Sequence, residues 1–107
     1  MLLNSNSIRE DIVKYEDGGV LRAYKSGKLC MISYFGAAAN HNMDQVLLKL
    51  PQGLRPEDKW DFVATKANQP FVMRIDNSDG RIYIWSASSA ALSAEGRIVF
   101  NVGWLIA

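Results

Sequence analysis

The sequence predicts an all-β domain, a compact antiparallel β-sandwich or barrel (jelly-roll-like) of about seven short strands. Three observations point there. Apolar and polar residues alternate at period two in run after run. Turn residues break these runs at roughly the 8–12-residue spacing of sandwiches and barrels. Helical periodicity is nearly absent.

The clearest run is Phe71 to Trp85, FVMRIDNSDGRIYIW. Phe71, Met73 and Ile75 alternate with Val72, Arg74 and Asp76. Asn77-Ser78-Asp79-Gly80 interrupts, and Ile82 and Ile84 alternate with Arg81, Tyr83 and Trp85. Alternation around an Asn/Asp/Gly cluster predicts a β-hairpin. With Asp76 facing Arg81, Ile75 faces Ile82 and Met73 faces Ile84 on one face. Arg74 then faces Tyr83, and Val72 faces Trp85, on the other. A slip of one residue would exchange the faces, so burial of the Ile/Met set selects this register. The second face carries two aromatics and an arginine where a plain solvent face would carry Thr, Lys or Glu. A second sheet, another subunit or a ligand is expected to cover it.

The remaining elements follow in order. Residues 1–18 form an N-terminal arm or a short helix. Ser7 followed by Glu10 has the form of a capping box, with Ile8, Ile12, Val13 and Tyr15 near one side. Asp17-Gly18-Gly19 is a turn. Val20–Tyr24 and Leu29–Phe35 are strands, and a two-residue Ser26-Gly27 loop would set Tyr24 opposite Leu29 and Ala23 opposite Cys30. Leu21, Ala23, Cys30 and Ile32 form the core face, while Lys25 and Lys28 keep the tip wet. Gly36–Asp44 is a loop, and Val46–Leu50 is a short strand. Pro51 to Asp58 is a constrained connection, because proline cannot donate to a ladder. Asp61–Thr65 is a strand led in by Trp60, and Lys66–Pro70 is a turn. Ser86–Gly96 is a long loop with room for one helical turn. Arg97–Ile106 is the last strand; both its faces are largely apolar, which predicts a central position.

At 107 residues the chain makes one domain, able to bury a core without metal or disulfide help. The hydrophobic share of 49% against 21% charged argues against disorder. A net charge of +1 gives no electrostatic case for nucleic acid or an anionic membrane surface. No apolar run approaches the roughly 18 residues of a membrane-spanning helix, so membrane insertion is not expected. The N-terminal residues lack the pattern of a signal peptide. Cys30 is the single cysteine, so no intrachain disulfide forms, and its apolar run predicts a buried thiol.

Catalytic signals are missing. His41 is the single histidine, and no triad, Cys/His pair or metal-ligand spacing accompanies it. Asn77-Ser78-Asp79-Gly80 shares its Asp-Gly with calcium loops. Counting from Gly80, however, puts Ile75 and Ser86 where the first and last carboxylates belong. No enzyme, cofactor or metal is expected. Glycan cleavage would need two carboxylates flanking a bond, and nothing selects a pair among eleven acidic residues. Glu57, Asp58 and Asp61 surround Trp60. An aromatic can stack on a sugar ring while carboxylates accept from its hydroxyls; a solvated turn with Trp60 in the core is the plainer alternative. Trp104 belongs to the core or an interface.

Residues 46–107 resemble the C-terminal head domains of tailed-bacteriophage receptor-binding and minor structural (baseplate, tail fibre) proteins. The resemblance rests on the phrase Leu50-Pro51-Gln52-Gly53-Leu54-Arg55-Pro56 after an apolar strand, and on the strand Trp60–Ala64. It rests also on the Asp-Gly hairpin Ile75–Ile84 and the closing strand through Trp104-Leu105-Ile106-Ala107. The hairpin Val20–Phe35 matches loosely. The resemblance implies a trimeric head at the virion tail tip, made in the host cytoplasm. It implies binding of a host cell-wall saccharide or phosphosaccharide and contact with other tail or baseplate proteins. The chain shows no collagen-like repeat, coiled coil or long shaft, so it corresponds to an excised head or a small stand-alone baseplate or accessory protein. Trp60, Asp61, Arg74, Tyr83 and Trp85 are the expected ligand contacts. Aromatics would stack on sugar rings, and Asp61 and Arg74 would bind hydroxyls or a phosphate. The alternative is an assembly module without a ligand, because subunit interfaces enrich the same Tyr, Trp and Arg.

Overall fold

The computed structural model describes residues 8–14, 19–36 and 41–106, and for 8–14 the strand and its pairing alone. The chain is all-β. Among the described residues eight strands form a single curled antiparallel sheet: β1 (Ile8–Lys14), β2 (Val20–Ser26), β3 (Leu29–Phe35), β4 (Val46–Lys49), β5 (Trp60–Lys66), β6 (Gln69–Ile75), β7 (Arg81–Ser86) and β8 (Ile98–Leu105). A 3₁₀ turn spans Gln52–Leu54, and one helical turn, α1, spans Ser89–Ser93. The strand order is β1-β2-β3-β8-β5-β6-β7-β4.

Within the N-terminal segment, Ile8–Lys14 is an extended strand and not a helix. Ile8 to Lys14 pair in full register with Ser26 to Val20, giving the β2–β3 hairpin a third strand. Ladder bonds to an open edge outweigh one turn's worth of capping. The rest of that reading, Met1 to Ser7 and Tyr15 to Gly18, lies outside the described residues.

The last strand is central, as its two apolar faces predict. Residues 29–35 of β3 pair with 105–99 of β8 along their whole length. On its other side β8 meets β5 through two pairs alone, Thr65–Val99 and Lys66–Ile98. There the sheet curls, and its two four-stranded halves enclose one core. Leu21, Ala23, Cys30, Ile32 and Tyr34 come from one half, and Phe62, Phe71, Met73, Ile75, Ile82 and Ile84 from the other. Ile98, Phe100 and Trp104 of β8 join this core, and Phe100 touches both halves. Phe100 lies 5.2 Å from Tyr34 and 4.8 Å from Phe62, ring centroid to centroid. Each fully buried aliphatic side chain stabilises by about 1.5–3 kcal/mol.

Two registers differ from expectation. In the β2–β3 hairpin Tyr24 pairs with Met31 and Ala23 with Ile32, because the turn is Gly27-Lys28 and not Ser26-Gly27. Gly27 has φ +58°, the backbone that the first position of a type II′ turn demands. A shift of two residues keeps the faces, so Leu21, Ala23, Cys30 and Ile32 are still inside. In the β6–β7 hairpin Ile75–Ile82, Arg74–Tyr83 and Met73–Ile84 pair as expected, but a bulge sets Val72 opposite Ser86 and not Trp85.

Arg55 gives the Leu50-to-Pro56 phrase a structural role. Its Nε donates to the Leu50 carbonyl (3.2 Å) and its Nη1 to the Ser78 carbonyl (3.1 Å), tying this connection to the β6–β7 turn. The Leu50 amide donates to the Gly80 carbonyl at 2.8 Å. The Trp104 indole donates to the Leu54 carbonyl at 2.7 Å. Cys30 is fully buried, and burial pushes its thiol up to about 11.

Two turn positions should respond oppositely to substitution. Gly80 has φ +79°, and a Cβ there would collide with the Leu50 carbonyl oxygen. Gly80→Ala is expected to destabilise by at least the ~1–2 kcal/mol of left-handed backbone. Ala67 holds φ +49° without glycine's freedom, so Ala67→Gly is expected to be neutral or stabilising. Urea midpoints measure both; equal losses would refute the turn geometry.

Candidate functional site

Period-two alternation divides each strand between the core and an outer face. On the outer face of β5–β6–β7, Asp61 pairs across strands with Arg74, and Arg74 with Tyr83. Arg74 grips Asp61 with both prongs, Nε to Oδ1 at 2.6 Å and Nη2 to Oδ2 at 3.0 Å. The same guanidinium lies over the Trp85 ring, its Cζ 3.5 Å from the centroid. Tyr83 meets Trp85 edge-on at 6.3 Å. Arg74 is thus held from two sides, by charge-assisted bonds and by a cation–π contact. Tyr83 in turn has the Arg81 guanidinium 5.7 Å from its ring. Trp85 is 44% exposed, and Val63 and Val46 beside this cluster are exposed as well.

Four of the five expected residues, Asp61, Arg74, Tyr83 and Trp85, therefore form one platform. Trp60 does not join them. As the neighbour of Asp61 in an extended strand it points to the other side. It lines a separate cleft of about 200 Å3 with Glu57, Asp58, Pro56, Trp104 and Leu105. The expected trio of carboxylates is split accordingly: Glu57 and Asp58 stay with Trp60, and Asp61 turns to Arg74. The alternation in WDFVATK carried this signal. The Asn77 side-chain amide donates to the Glu57 carbonyl at 2.8 Å, fixing the cleft's rim to the β6–β7 turn.

The hydrogen bonds from Arg74 hold the Asp61 carboxyl below its ordinary range and raise Arg74 in return. The platform is thereby close to neutral, although it contains two formal charges. Asp76 is also held low, first by the Ser78 hydroxyl (2.7 Å) and then by the Ser78 amide (3.0 Å). His41 lies where its amide donates to the Leu92 carbonyl at 3.0 Å, and Lys66 Nζ donates to the same oxygen at 3.1 Å. Lys66, read from sequence as part of a turn, ends β5 and is 1% exposed. Burial lowers its amine. Among the described residues no group of three or more His, Cys, Asp or Glu side chains is placed to hold a metal. No helix of the described residues is long and apolar enough to cross a membrane.

No family model matches the chain, and no curated protein is similar enough to it to count as a relative.

The two depressed carboxyls set an acid limb. Because the folded pKa lies below the unfolded one, the stability each contributes is complete above the ordinary carboxylate value of ~3.9 and is lost as pH falls through the folded value. Asp61→Asn with Asp76→Asn should therefore lose less stability than the parent between about pH 6 and pH 2. Urea midpoints against pH read this directly, and superimposable profiles would remove the argument.

Proposed function

We propose that this chain is a non-catalytic binding module of the phage tail-tip head type, whose β5–β6–β7 platform takes a host-surface saccharide. The observation that carries the reading is the half-exposed Trp85 beside a guanidinium that Asp61 and the indole hold in place. Such a surface is preorganised, so little ordering entropy is lost on binding. The aromatics offer flat apolar area to the C–H face of a sugar ring. Arg74 and Asp61 offer donors and acceptors to its hydroxyls.

The internal neutralisation of Arg74 by Asp61 refines the ligand. A phosphate would compete with Asp61 for the same guanidinium fork, so the platform suits an uncharged saccharide better than a phosphosaccharide. On an array of neutral and phosphorylated bacterial-envelope saccharides, neutral sugars should give the signal. Trp85→Ala and Tyr83→Ala should each weaken binding by about tenfold or more, in line with ~1–3 kcal/mol for a lost aromatic anchor. Trp60→Ala reports separately on the cleft. Folded Trp85→Ala and Trp60→Ala proteins that both bind as the parent does would refute the assignment.

An assembly role without a ligand is the second reading. It is favoured by the exposed apolar residues Tyr24, Leu29, Met31 and Leu105 on the outer face of β2, β3 and β8. Neighbouring apolar groups of this kind mark contact surfaces. Sedimentation equilibrium is expected to give a trimer for a head of this type, and a strict monomer at micromolar concentration would count against both trimerisation and the assembly reading.

A further inference from the structure

The cleft that Trp60 lines has an origin and a chemistry of its own. Strand β8 meets the chain around β5 twice. It pairs through Thr65–Val99 and Lys66–Ile98, and again through an isolated bridge from Pro56 to Ile106. The stretch from Pro56 to Thr65 is two residues longer than the facing stretch from Val99 to Ile106, so it bows away from β8 as a bulge does. The cleft opens in that bow. Glu57, Asp58 and Trp60 line one side of it, and Trp104 and Leu105 the other. The walls are fixed before anything binds. The Trp104 indole donates to the Leu54 carbonyl at 2.7 Å, the Asn77 side-chain amide donates to the Glu57 carbonyl at 2.8 Å, and the Ile106 amide donates to the Lys28 carbonyl at 2.7 Å. Trp104 is buried and forms the floor, whereas Trp60, 42% exposed, offers its indole to an incoming group.

The charge here is of one sign. Glu57 and Asp58 are the charged residues among those described as lining the cleft, both are exposed, and no described residue pairs with either carboxylate. Lys59, next in sequence, does not line the cleft. On the platform, by contrast, Arg74 cancels Asp61. Two uncompensated carboxylates beside an open indole favour a cation, which the carboxylates attract by charge and the ring by its negative face. The other walls, Pro56, Trp104 and Leu105, offer apolar surface, which suits a cation whose charge is spread over methyl groups better than one that needs water around it. The volume of about 200 Å3 lies below that of sites for drug-sized ligands, so the cleft fits a small head group. We propose that this cleft is a cation site taking a small methylated ammonium group. Its methyls lie against Trp60 and Leu105, and Glu57 and Asp58 supply the countercharge. This goes beyond the platform reading and does not depend on it, because the cleft and the platform share no residue.

The test is a titration of the isotope-labelled chain with choline chloride, followed by the indole N–H signals of Trp60, Trp85 and Trp104, with ionic strength held constant by sodium chloride. The matched control is 3,3-dimethylbutan-1-ol, which has the shape of choline without its charge. Choline should give saturable shifts at Trp60 and Trp104 and leave Trp85 in place, and the neutral alcohol should bind about tenfold more weakly. Trp60→Ala should weaken choline by about tenfold, read at Trp104. The double variant Glu57→Gln with Asp58→Asn, at exposed loop positions, should bring choline down toward the affinity of the alcohol while keeping a dispersed, folded spectrum. No saturable shift with choline overturns the proposal. So does equal binding of the neutral alcohol, a shift confined to Trp85, or unchanged binding in the carboxylate variant.

Discussion

Thr65–Val99 and Lys66–Ile98 are the two residue pairs that make one sheet out of two halves. Everything else depends on that short joint. Were β5 and β8 paired along their full length, the sheet would run on more nearly flat and the halves could not share a core. Pairing at the strand ends alone lets the sheet curl, so that Phe62 of one half packs on Phe100 at the seam. The joint is also where a charged residue is buried. The Lys66 stem crosses the core edge and its amine reaches the Leu92 carbonyl, linking α1 to the sheet. Gly96 lets the following loop close over the joint, since a Cβ there would meet the Ala67 amide nitrogen at 3.2 Å.

The curl then distributes the chemistry. Inward positions are consumed by the shared core, so recognition can be built from outward positions and strand ends. The two outer surfaces are electrostatically unlike. On β5–β6–β7 the arginine is cancelled by a cross-strand carboxylate and fixed on an indole. Beside the ends of β3 and β8, Arg97 is fixed by the neutral Gly36 carbonyl and the Phe35 ring. The same side-chain type thus presents a polar but nearly neutral surface in one place and a cationic rim in the other. Formal charge summed over the chain cannot register that difference.

Much of the fold was legible because burial enforces period two. The β6–β7 register followed from the need to bury Ile75, Ile82, Met73 and Ile84 together, and β8 announced its central place through two apolar faces. What escaped was decided by backbone detail or by distant partners. The Gly27-Lys28 turn depends on which loop position takes positive φ, and the bulge at Val72 depends on local twist. Strand β1 exists because β2 has an open edge, which its own polar sequence does not state. The platform was half legible: Arg74, Tyr83 and Trp85 lie within one hairpin. The tie to Asp61 needs the β5–β6 register, and the exclusion of Trp60 follows from its alternation with Asp61.

The strand order also bears on how the protein is made. Strands β1 to β3 and β4 to β7 leave the ribosome first, and each group carries an open edge; β8 will later cover that of β3 in full and the end of that of β5. Until β8 emerges, β3 and β5 are exposed templates with half of a core behind them. The cell must therefore hold a partly synthesised chain whose two sticky edges face each other without their bridge. Long-range pairing of this kind forms slowly and is vulnerable to edge-to-edge association while it waits. Yield of the folded protein should thus be governed by how quickly the last strand is delivered, more than by the stability of the finished sheet.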